Sequence, residues 1–377
     1  MLMTWKSYSW FGFLILLMTC KFWNATPALA GAGAIADLSE TRRLAEKGSV
    51  SDEIALAGDY FAGKGVTQDS KMAAYWYEKA AGHGNPAAQN QIGYFYQAGI
   101  GVTQDSERAF HWYQLAAAAG FPRAKVNLAI IYLNGIGTRK NSDLAIQLLQ
   151  QAFEAGNGTA ATYLGVLSYF GTVGKEDKIV AERWFESGLK LHDPLAAFNL
   201  GSLYSVTAGH PQDLSKAADL LRQAADGGYV PAMHSLGLLL INNPNLKQDD
   251  RQARTLLEAA ANVGSWKSSV VLGILARDGR GVPKDARDAY CYFHIAVLQG
   301  GETAKRLVKK DMDLLGTQIG SEERRTAEVA ASTWYEHHSS TLVFVYKDGT
   351  KGDFPTAGVA SAPDGSFAGQ LLPLSSS

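Results

Sequence analysis

A short serine–lysine pattern is the first feature of the sequence that could carry chemistry. Ser187-Gly188-Leu189-Lys190 matches the Ser-x-x-Lys motif, in which a serine nucleophile acts on β-lactam or cell-wall substrates. The companion motifs Ser-Asp-Asn and Lys-Thr-Gly do not occur in the sequence. The four residues are therefore more typical of an ordinary stretch of helix than of the active site of a hydrolase.

Pairs of glycines could build a phosphate-binding loop, and a histidine pair could bind a metal ion. A phosphate loop needs a third glycine at dinucleotide spacing or a following Gly-Lys-Ser/Thr, and neither accompanies these pairs. His337 and His338 are adjacent on a predicted helix and so face different ways, which suits a single ion poorly. We therefore predict no cofactor, no metal site and no enzymatic activity. The glycine pairs are Gly63/Gly65, Gly99/Gly101, Gly135/Gly137 and Gly279/Gly281.

The composition is that of a folded protein without a bias toward nucleic acid. Apolar residues make up 46% and charged residues 19% of the 377 residues, and the formal net charge is −1. This balance gives no reason to expect nucleic acid as a partner. Cys20 and Cys291 are the only cysteines, which excludes a disulfide framework and a cysteine zinc site.

The first thirty residues have the order of a secretory signal. After Lys6, an apolar run extends from Trp10 to Thr19, which is shorter than the roughly 20 residues needed to span a bilayer. Ala28-Leu29-Ala30 then provides the small-x-small pattern of a signal peptidase site. We expect residues 1–30 to be a signal peptide that is cleaved after Ala30, so that the protein is exported to the periplasm or secreted.

Two alternatives stay open for this segment. An uncleaved anchor would have to continue the apolar run through Lys21, Phe22 and Trp23. A lipoprotein would use Cys20, although Thr19 and Lys21 beside it fit that signal poorly. We expect contact with a membrane only through such an uncleaved segment or through a partner.

Residue types recur along the chain with a fixed step of 36. One column holds a small residue, a second holds a cap residue and a third holds a bulky residue. Seven units stay in register, which predicts seven copies of one structural unit. The small column is Ala57, Gly93, Ala129, Gly165, Gly201, Gly237 and Gly273; the cap column is Asp69, Asp105, Asn141, Asp177, Asp213, Asp249 and Asp285; the bulky column is Trp76, Trp112, Leu148, Trp184, Leu220, Leu256 and Tyr292.

The pattern predicts two helices, A and B, in each repeat. In the second repeat, helix A covers about 86–97 and ends at Gly99 and Gly101. Asp105 then caps a helix B at about 107–119. Small residues let two helix backbones approach closely, and the bulky column fills the space beside them. The predicted fold is all-α: a right-handed superhelical α/α solenoid of about seven 36-residue helix-turn-helix repeats.

The second repeat resembles the repeats of the SEL-one-like family, which are related to the tetratricopeptide repeat. The resemblance covers about residues 34–304 and departs at Thr207 and Asn243, where other repeats have glycine. It implies an adaptor or scaffold protein, as in bacterial envelopes and in eukaryotic membrane quality control. It rests on Ile92-Gly93, Tyr96, Gly99-Ile100-Gly101-Val102, Asp105, Ala109, Trp112-Tyr113, Ala116-Ala117 and Gly120.

The chain continues beyond the repeats. We expect a signal peptide at 1–30, the repeat solenoid at 34–304, capping helices at 305–338 and a low-complexity tail at 339–377. Gly300-Gly301 interrupts the repeat, and Ser321 after Gly320 is placed to begin the last helix.

In a tetratricopeptide-like array, helix A side chains line the concave surface. Positions one and four residues after the small column, and three residues before it, therefore predict a strip that binds a partner protein. Many of these residues are apolar, which suits an amphipathic helix or an extended segment. The alternative is that they only pack against the neighbouring repeat. This helix A strip contains Phe61, Asn90, Tyr94, Gln97, Ile130, Leu133, Val166, Tyr169, Phe198, Leu238, Ile241, Ile274 and Arg277.

These patterns predict an exported scaffold with an adaptor or regulatory role, which binds an unidentified protein through the helix A strip. Two other classes stay open: an assembly component of an envelope polysaccharide-export or motility complex, and a cell-wall or β-lactam hydrolase. Lipidation of Cys20, or tight co-purification with a membrane complex, would favour the first of these. Turnover of a β-lactam or of peptidoglycan would favour the second.

Overall fold

The structure is a computed structural model that describes residues 31–171, 174–205, 213–243, 246 and 250–339. The predicted signal peptide, with Cys20, lies outside these ranges, as do Thr207 and residues 340–377 of the predicted tail.

The described residues are mostly helical and contain no strand, which confirms the all-α prediction. One leading helix is followed by seven A–B helix pairs, which confirms the α/α solenoid of seven repeats. The helices are α1 (Gly31–Glu46), α2 (Val50–Ala62), α3 (Ser70–Gly82), α4 (Pro86–Ala98), α5 (Ser106–Ala118), α6 (Pro122–Asn134), α7 (Ser142–Glu154), α8 (Gly158–Tyr169), α9 (Lys178–Lys190), α10 (Pro194–Ser205), α11 (Leu214–Asp226), α12 (Val230–Asn242), α13 (Asp250–Asn262), α14 (Trp266–Asp278) and α15 (Ala286–Ser339).

Helix α15 is interrupted twice. Gly301 (φ 57°, ψ −143°) and Gly320 (φ 77°, ψ 175°) leave the helical region, so the chain forms three segments, 286–300, 302–319 and 321–339. The first segment is helix B of the seventh repeat, and the other two follow the last repeat. Among the helices described, none is both long enough and apolar enough to cross a membrane.

The described chain divides into two compact units between Ala196 and Ala197, within α10. In the first unit, residues 31–196, apolar clusters form around side chains such as Phe95 and Leu149. In the second unit, residues 197–339, a cluster around Phe293 joins α14 to all three segments of α15. Each unit therefore contains its own apolar core.

At its described positions the cap column begins helix B, as the sequence predicts; Asp249 lies outside the described residues. Asp105 Oδ1 accepts hydrogen bonds from the backbone N–H groups of Glu107 at 3.0 Å and Arg108 at 2.9 Å. Asp69 makes the same two contacts at the start of α3. The carboxylate satisfies N–H groups that have no partner inside the helix and lies at the positive end of the helix dipole.

The glycine pairs form the turn between helix A and helix B. Gly99 has a φ of 69° and closes α4, and a Cβ added at Gly101 would lie only 2.0 Å from the backbone oxygen of Ser70 in the preceding repeat. Only glycine tolerates both the left-handed conformation and this approach. Asn243 has a φ of −131° at the corresponding end of α12, so this helix ends without a left-handed residue, a departure that the sequence predicts.

The small column packs against a position one residue later than the bulky column predicted from sequence. Tyr113 is fully buried, whereas Trp112 before it is half-buried. A Cβ added at Gly165 would lie 2.6 Å from the ring of Phe185, which follows Trp184. Consecutive helical residues point about 100° apart, so only one of the two can face the small column.

The turn between α9 and α10 departs from the repeat. His192 has a φ of 58° and is the only non-glycine residue with positive φ among those described, whereas Gly156 and Gly228 hold this position in neighbouring repeats. The left-handed conformation strains a residue that has a Cβ.

The next residue, Asp193, connects two repeats. Thr162 Oγ1 donates a hydrogen bond to Asp193 Oδ2 at 2.5 Å, and the backbone N–H of Leu195 donates to Oδ1 at 3.4 Å. Burial raises the pKa of the Asp193 carboxyl, and these hydrogen bonds oppose that shift.

We expect His192→Gly to raise the free energy of unfolding by roughly 0.5 kcal/mol, because relief of the backbone strain exceeds the entropy cost of glycine. Chemical denaturation would measure the change. Gly156→Ala is the matched control: no atom lies within 4 Å of the added Cβ, so a loss of about 1 kcal/mol there reflects the backbone alone. Equal stability of wild type and His192→Gly would contradict the assignment of strain to His192.

Asp193→Asn tests the buried carboxyl. Because the folded-state pKa is raised, the folded protein binds the proton more tightly than the unfolded chain does. The charged form therefore weakens folding above the folded pKa, and this penalty disappears as the pH falls through it. Asparagine carries no charge. We therefore expect the free energy of unfolding of Asp193→Asn to exceed that of wild type most near neutral pH, and this excess to shrink toward acid pH.

The substitution keeps the capping function of position 193. Asn85 and Asn157 hold the same place in other repeats, where their side chains accept hydrogen bonds from Ala88 and Ala160. Denaturation curves across the acid range would measure the difference. A difference that stays constant with pH would show that the burial of charge at Asp193 does not affect folding.

Candidate protein-binding surface

The structure places most of the helix A strip inside the protein. Helix packing buries nine of its thirteen residues and leaves four half-buried. The buried residues are Phe61, Asn90, Tyr94, Gln97, Ile130, Leu133, Val166, Phe198 and Ile241, and the half-buried ones are Tyr169, Leu238, Ile274 and Arg277.

In the first unit, buried strip residues bond to neighbouring helices. Asn127 Nδ2 on α6 donates to Asn90 Oδ1 on α4 at 2.9 Å. The hydroxyl of Tyr113 on α5 donates to Gln97 Oε1 on α4 at 2.8 Å. Residues that only pack against the neighbouring repeat would make such contacts. That these residues bind a partner protein stays a prediction.

The accessible part of the strip lies mainly in the second unit. Leu238 on α12 and both Ile274 and Arg277 on α14 are half-buried. Ile274 packs at the edge of the core of this unit. It precedes Arg277 by three residues, so the two side chains are neighbours on one face of α14. That face therefore presents an apolar group beside a charged one.

Arg277 is held by two carboxylates. Its Nη1 lies 2.6 Å from Asp311 Oδ1 on the 302–319 segment, and its Nε lies 2.7 Å from Asp278 Oδ1. Hydrogen bonds to Asp278 and Asp311 raise the pKa of Arg277, and the guanidinium lowers the pKa of Asp278. The group therefore remains ionised and fixes the 302–319 segment against α14.

Two leucines extend this surface onto the 302–319 segment. The side chains of Leu307 and Leu314 are 58% and 55% exposed, among the most exposed large apolar residues of the described chain. Leu307 lies four residues before Asp311 and Leu314 three residues after it, so both are helical neighbours of the carboxylate that Arg277 binds. The sequence prediction did not include these leucines, because it assigned this segment to a cap.

The sequence does contain a signal for them. Leu307 is followed by Val308, and Leu314 by Leu315, so apolar residues occur in adjacent pairs at a spacing of seven. Adjacent helical residues cannot both face one core. The structure buries Val308 and Leu315 and leaves the preceding leucines exposed. Such doubling in a terminal helix predicts a second apolar face.

The residues considered for chemistry are occupied in structural contacts. Ser187 Oγ donates to the backbone oxygen of Arg183 at 2.8 Å. Burial raises the pKa of Cys291 to about 11, which keeps it a thiol at neutral pH. Within the described residues, no three His, Cys, Asp or Glu side chains cluster as metal ligands would.

A small cleft in the second unit has aromatic walls. Its volume is about 200 Å³, and its lining includes Tyr292, Trp334, Leu272 and Glu258. Pockets for small molecules usually measure about 300–1,000 Å³. The cleft is therefore closer in size to a single side chain than to a cofactor.

Two solved structures are among those that this chain is similar to. A Sel1 repeat protein from Oxalobacter formigenes is 28% identical with a TM-score of 0.55, and the match covers 69% of this chain and 98% of that one. A protective antigen of uropathogenic Escherichia coli with an SLR fold is 24% identical with a TM-score of 0.41, and the match covers 84% and 76% of the two chains. The chain has no significant match among curated proteins.

The Sel1 repeat model matches seven consecutive segments, which confirms the SEL-one-like resemblance. The segments are residues 53–85, 86–121, 122–157, 158–193, 194–229, 230–265 and 270–301. They correspond to the A–B helix pairs of the structure and cover more than half of the chain. Repeats of this kind generally mediate protein–protein interactions, and the proteins that carry them are typically non-catalytic scaffolds. The chain belongs to the Sel1 repeat family.

Proposed function

We propose that this chain is an exported scaffold that holds another protein against the helix A strip of its second unit. The observation that carries the proposal is the accessible apolar surface there: Leu238 and Ile274 are half-buried, and Leu307 and Leu314 are exposed. Apolar side chains that stay accessible on a rigid helical surface favour recognition of a protein segment. The family supports the same role, since its repeats generally act in protein binding.

Export is the second part of the proposal and rests on the sequence alone. The apolar run from Trp10 to Thr19 and the Ala28-Leu29-Ala30 pattern support a cleaved signal. With cleavage after Ala30, the mature chain would start at Gly31. A scaffold placed in the periplasm by this route would take an adaptor or regulatory role there.

We expect Leu238→Ala combined with Ile274→Ala to weaken binding of the native partner by about tenfold or more, because it removes two apolar anchors. The half-buried positions should lose roughly 1–2 kcal/mol each in stability, less than fully buried ones. The partner would first be identified by chemical crosslinking and mass spectrometry of the protein from its own host. Its affinity for wild type and variant would then be measured by calorimetry.

The matched control is Ile130→Ala combined with Leu133→Ala, which removes two apolar residues of the helix A strip in the first unit. Both residues are buried, so this pair should lower stability by about 2–5 kcal/mol per residue. At a temperature where the control is still folded, it should retain affinity. If the control loses binding while Leu238→Ala/Ile274→Ala binds normally, the partner occupies the first unit and the proposal is wrong.

We expect the protein isolated from its host to begin at Gly31, as signal cleavage after Ala30 requires. Intact-mass measurement of periplasmic and membrane fractions would test this. Ala28→Asp together with Ala30→Asp is the control, because a charged residue in place of each small one should block cleavage and leave the longer chain. A mature protein that starts at a lipid-modified Cys20, or at Met1, would contradict the cleaved signal.

A further inference from the structure

One face of the 302–319 segment carries a continuous stripe of accessible side chains. Thr303, Leu307, Lys310 and Leu314 follow one another at spacings of four, three and four residues, and all are exposed. Residues with these spacings lie above one another on a helix. The segment is anchored by a different face, which buries Ala304, Val308 and Leu315. The stripe is therefore free of the core that holds the helix in place.

The charge of the stripe is positive. Lys310 lies between the two leucines and makes no ion pair with any residue that the structure describes, and neither does Arg306 one turn before it. Asp311, which follows Lys310 directly, is bound to Arg277 at 2.6 Å, and Asp313, three residues after Lys310, forms no ion pair with it. Lys310 is therefore an accessible cation beside two accessible leucines, without an ion pair among the described residues.

We infer that this stripe binds an acidic amphipathic helix of the partner protein, one with aliphatic residues seven apart and an Asp or Glu between them. The inference rests on the proposed function and names the partner's chemistry. Leu307 and Leu314 are about 10.5 Å apart along the axis, at 1.5 Å per residue, and a partner helix repeats its apolar face at this interval. In an extended strand, residues on one face repeat about every 6.7 Å and do not match it.

An anionic membrane surface fits the same region less well. The 302–319 segment has four cations against three carboxylates, but the adjoining 321–339 segment has four carboxylates against two arginines. The two segments together therefore lack the excess of cations by which a protein surface adsorbs to anionic lipid, whereas one acidic residue of a partner needs only Lys310 beside it. A single lysine between two leucines suits an ion pair with one acidic residue of a protein better than it suits adsorption to a membrane surface.

The first test places a photo-crosslinking amino acid at position 314, at position 274 and, as a control, at position 179. Ile179 on α9 is 62% exposed, so it matches Leu314 in exposure but lies in the first unit. The full-length protein would be crosslinked in its own host and the captured segments sequenced. We expect capture at 314 and 274, not at 179, and a captured segment with the acidic and aliphatic spacing stated above.

Other captures separate the two claims. Capture of a partner at 274 but not at 314 would overturn the inference and leave the proposed function intact. Capture at neither position would overturn both. Crosslinks from 314 to lipid, to a second copy or to residues 340–377 of the same chain would overturn the inference, because each identifies a different occupant.

The second test reverses the charge on each side. A synthetic peptide with the captured sequence should bind Lys310→Glu about fivefold more weakly than wild type, and a peptide with its central acidic residue changed to lysine should restore binding to that variant. Lys309→Glu is the matched control, since Lys309 is exposed on the same segment but lies outside the stripe. Equal losses in Lys310→Glu and Lys309→Glu, or no rescue by the reversed peptide, would overturn the pairing with Lys310.

Circular dichroism would verify that each variant is folded. Exposed positions contribute little to stability, so Leu314 and Lys310 variants should keep the helical signal of wild type.

Discussion

The approach of the Gly101 backbone to the backbone of Ser70 is the contact on which the spacing of the repeats depends. A Cβ at Gly101 would lie 2.0 Å from the Ser70 oxygen, and one at Gly137 would lie 2.7 Å from the oxygen of Ser106. The turn after each of these A helices therefore packs against the first residue of the preceding helix B. Because the same contact recurs one repeat later, both helices and their turns must keep a constant length. The 36-residue period of the sequence follows from this.

The fold could be predicted because each structural requirement appears in the sequence several times. The left-handed turn at Gly99 and the cap at Asp105 recur in register, so the structure of one repeat could be predicted from the pattern of the others. The exception follows the same logic: Asn243 stands where other repeats have glycine, and α12 ends there without a left-handed residue. Repetition thus replaced the long-range information that a single sequence usually lacks.

The candidate site was harder to predict, because spacing gives the direction of a side chain but not its distance from the next helix. Tyr94 and Leu133 lie on the face that the repeat predicts, yet neighbouring helices are close enough to bury them. Leu307 and Leu314 fall beyond the last repeat, where no column of equivalent residues exists for comparison. The doubled apolar residues there predict two apolar faces, but which face is exposed depends on how the 302–319 segment packs, with Val308 and Leu315 buried and Asp311 bound to Arg277.

Lys310 has a consequence for how copies of this chain behave toward one another. Two identical stripes brought together across a twofold axis would bury four leucines, which favours dimer formation. Since Lys310 lies at the centre of the stripe, the same arrangement would bring two unpaired ammonium groups to the axis, where they repel and lose water. A single charge in an apolar stripe therefore discourages homodimerisation through the surface that a different, acidic chain can still cover.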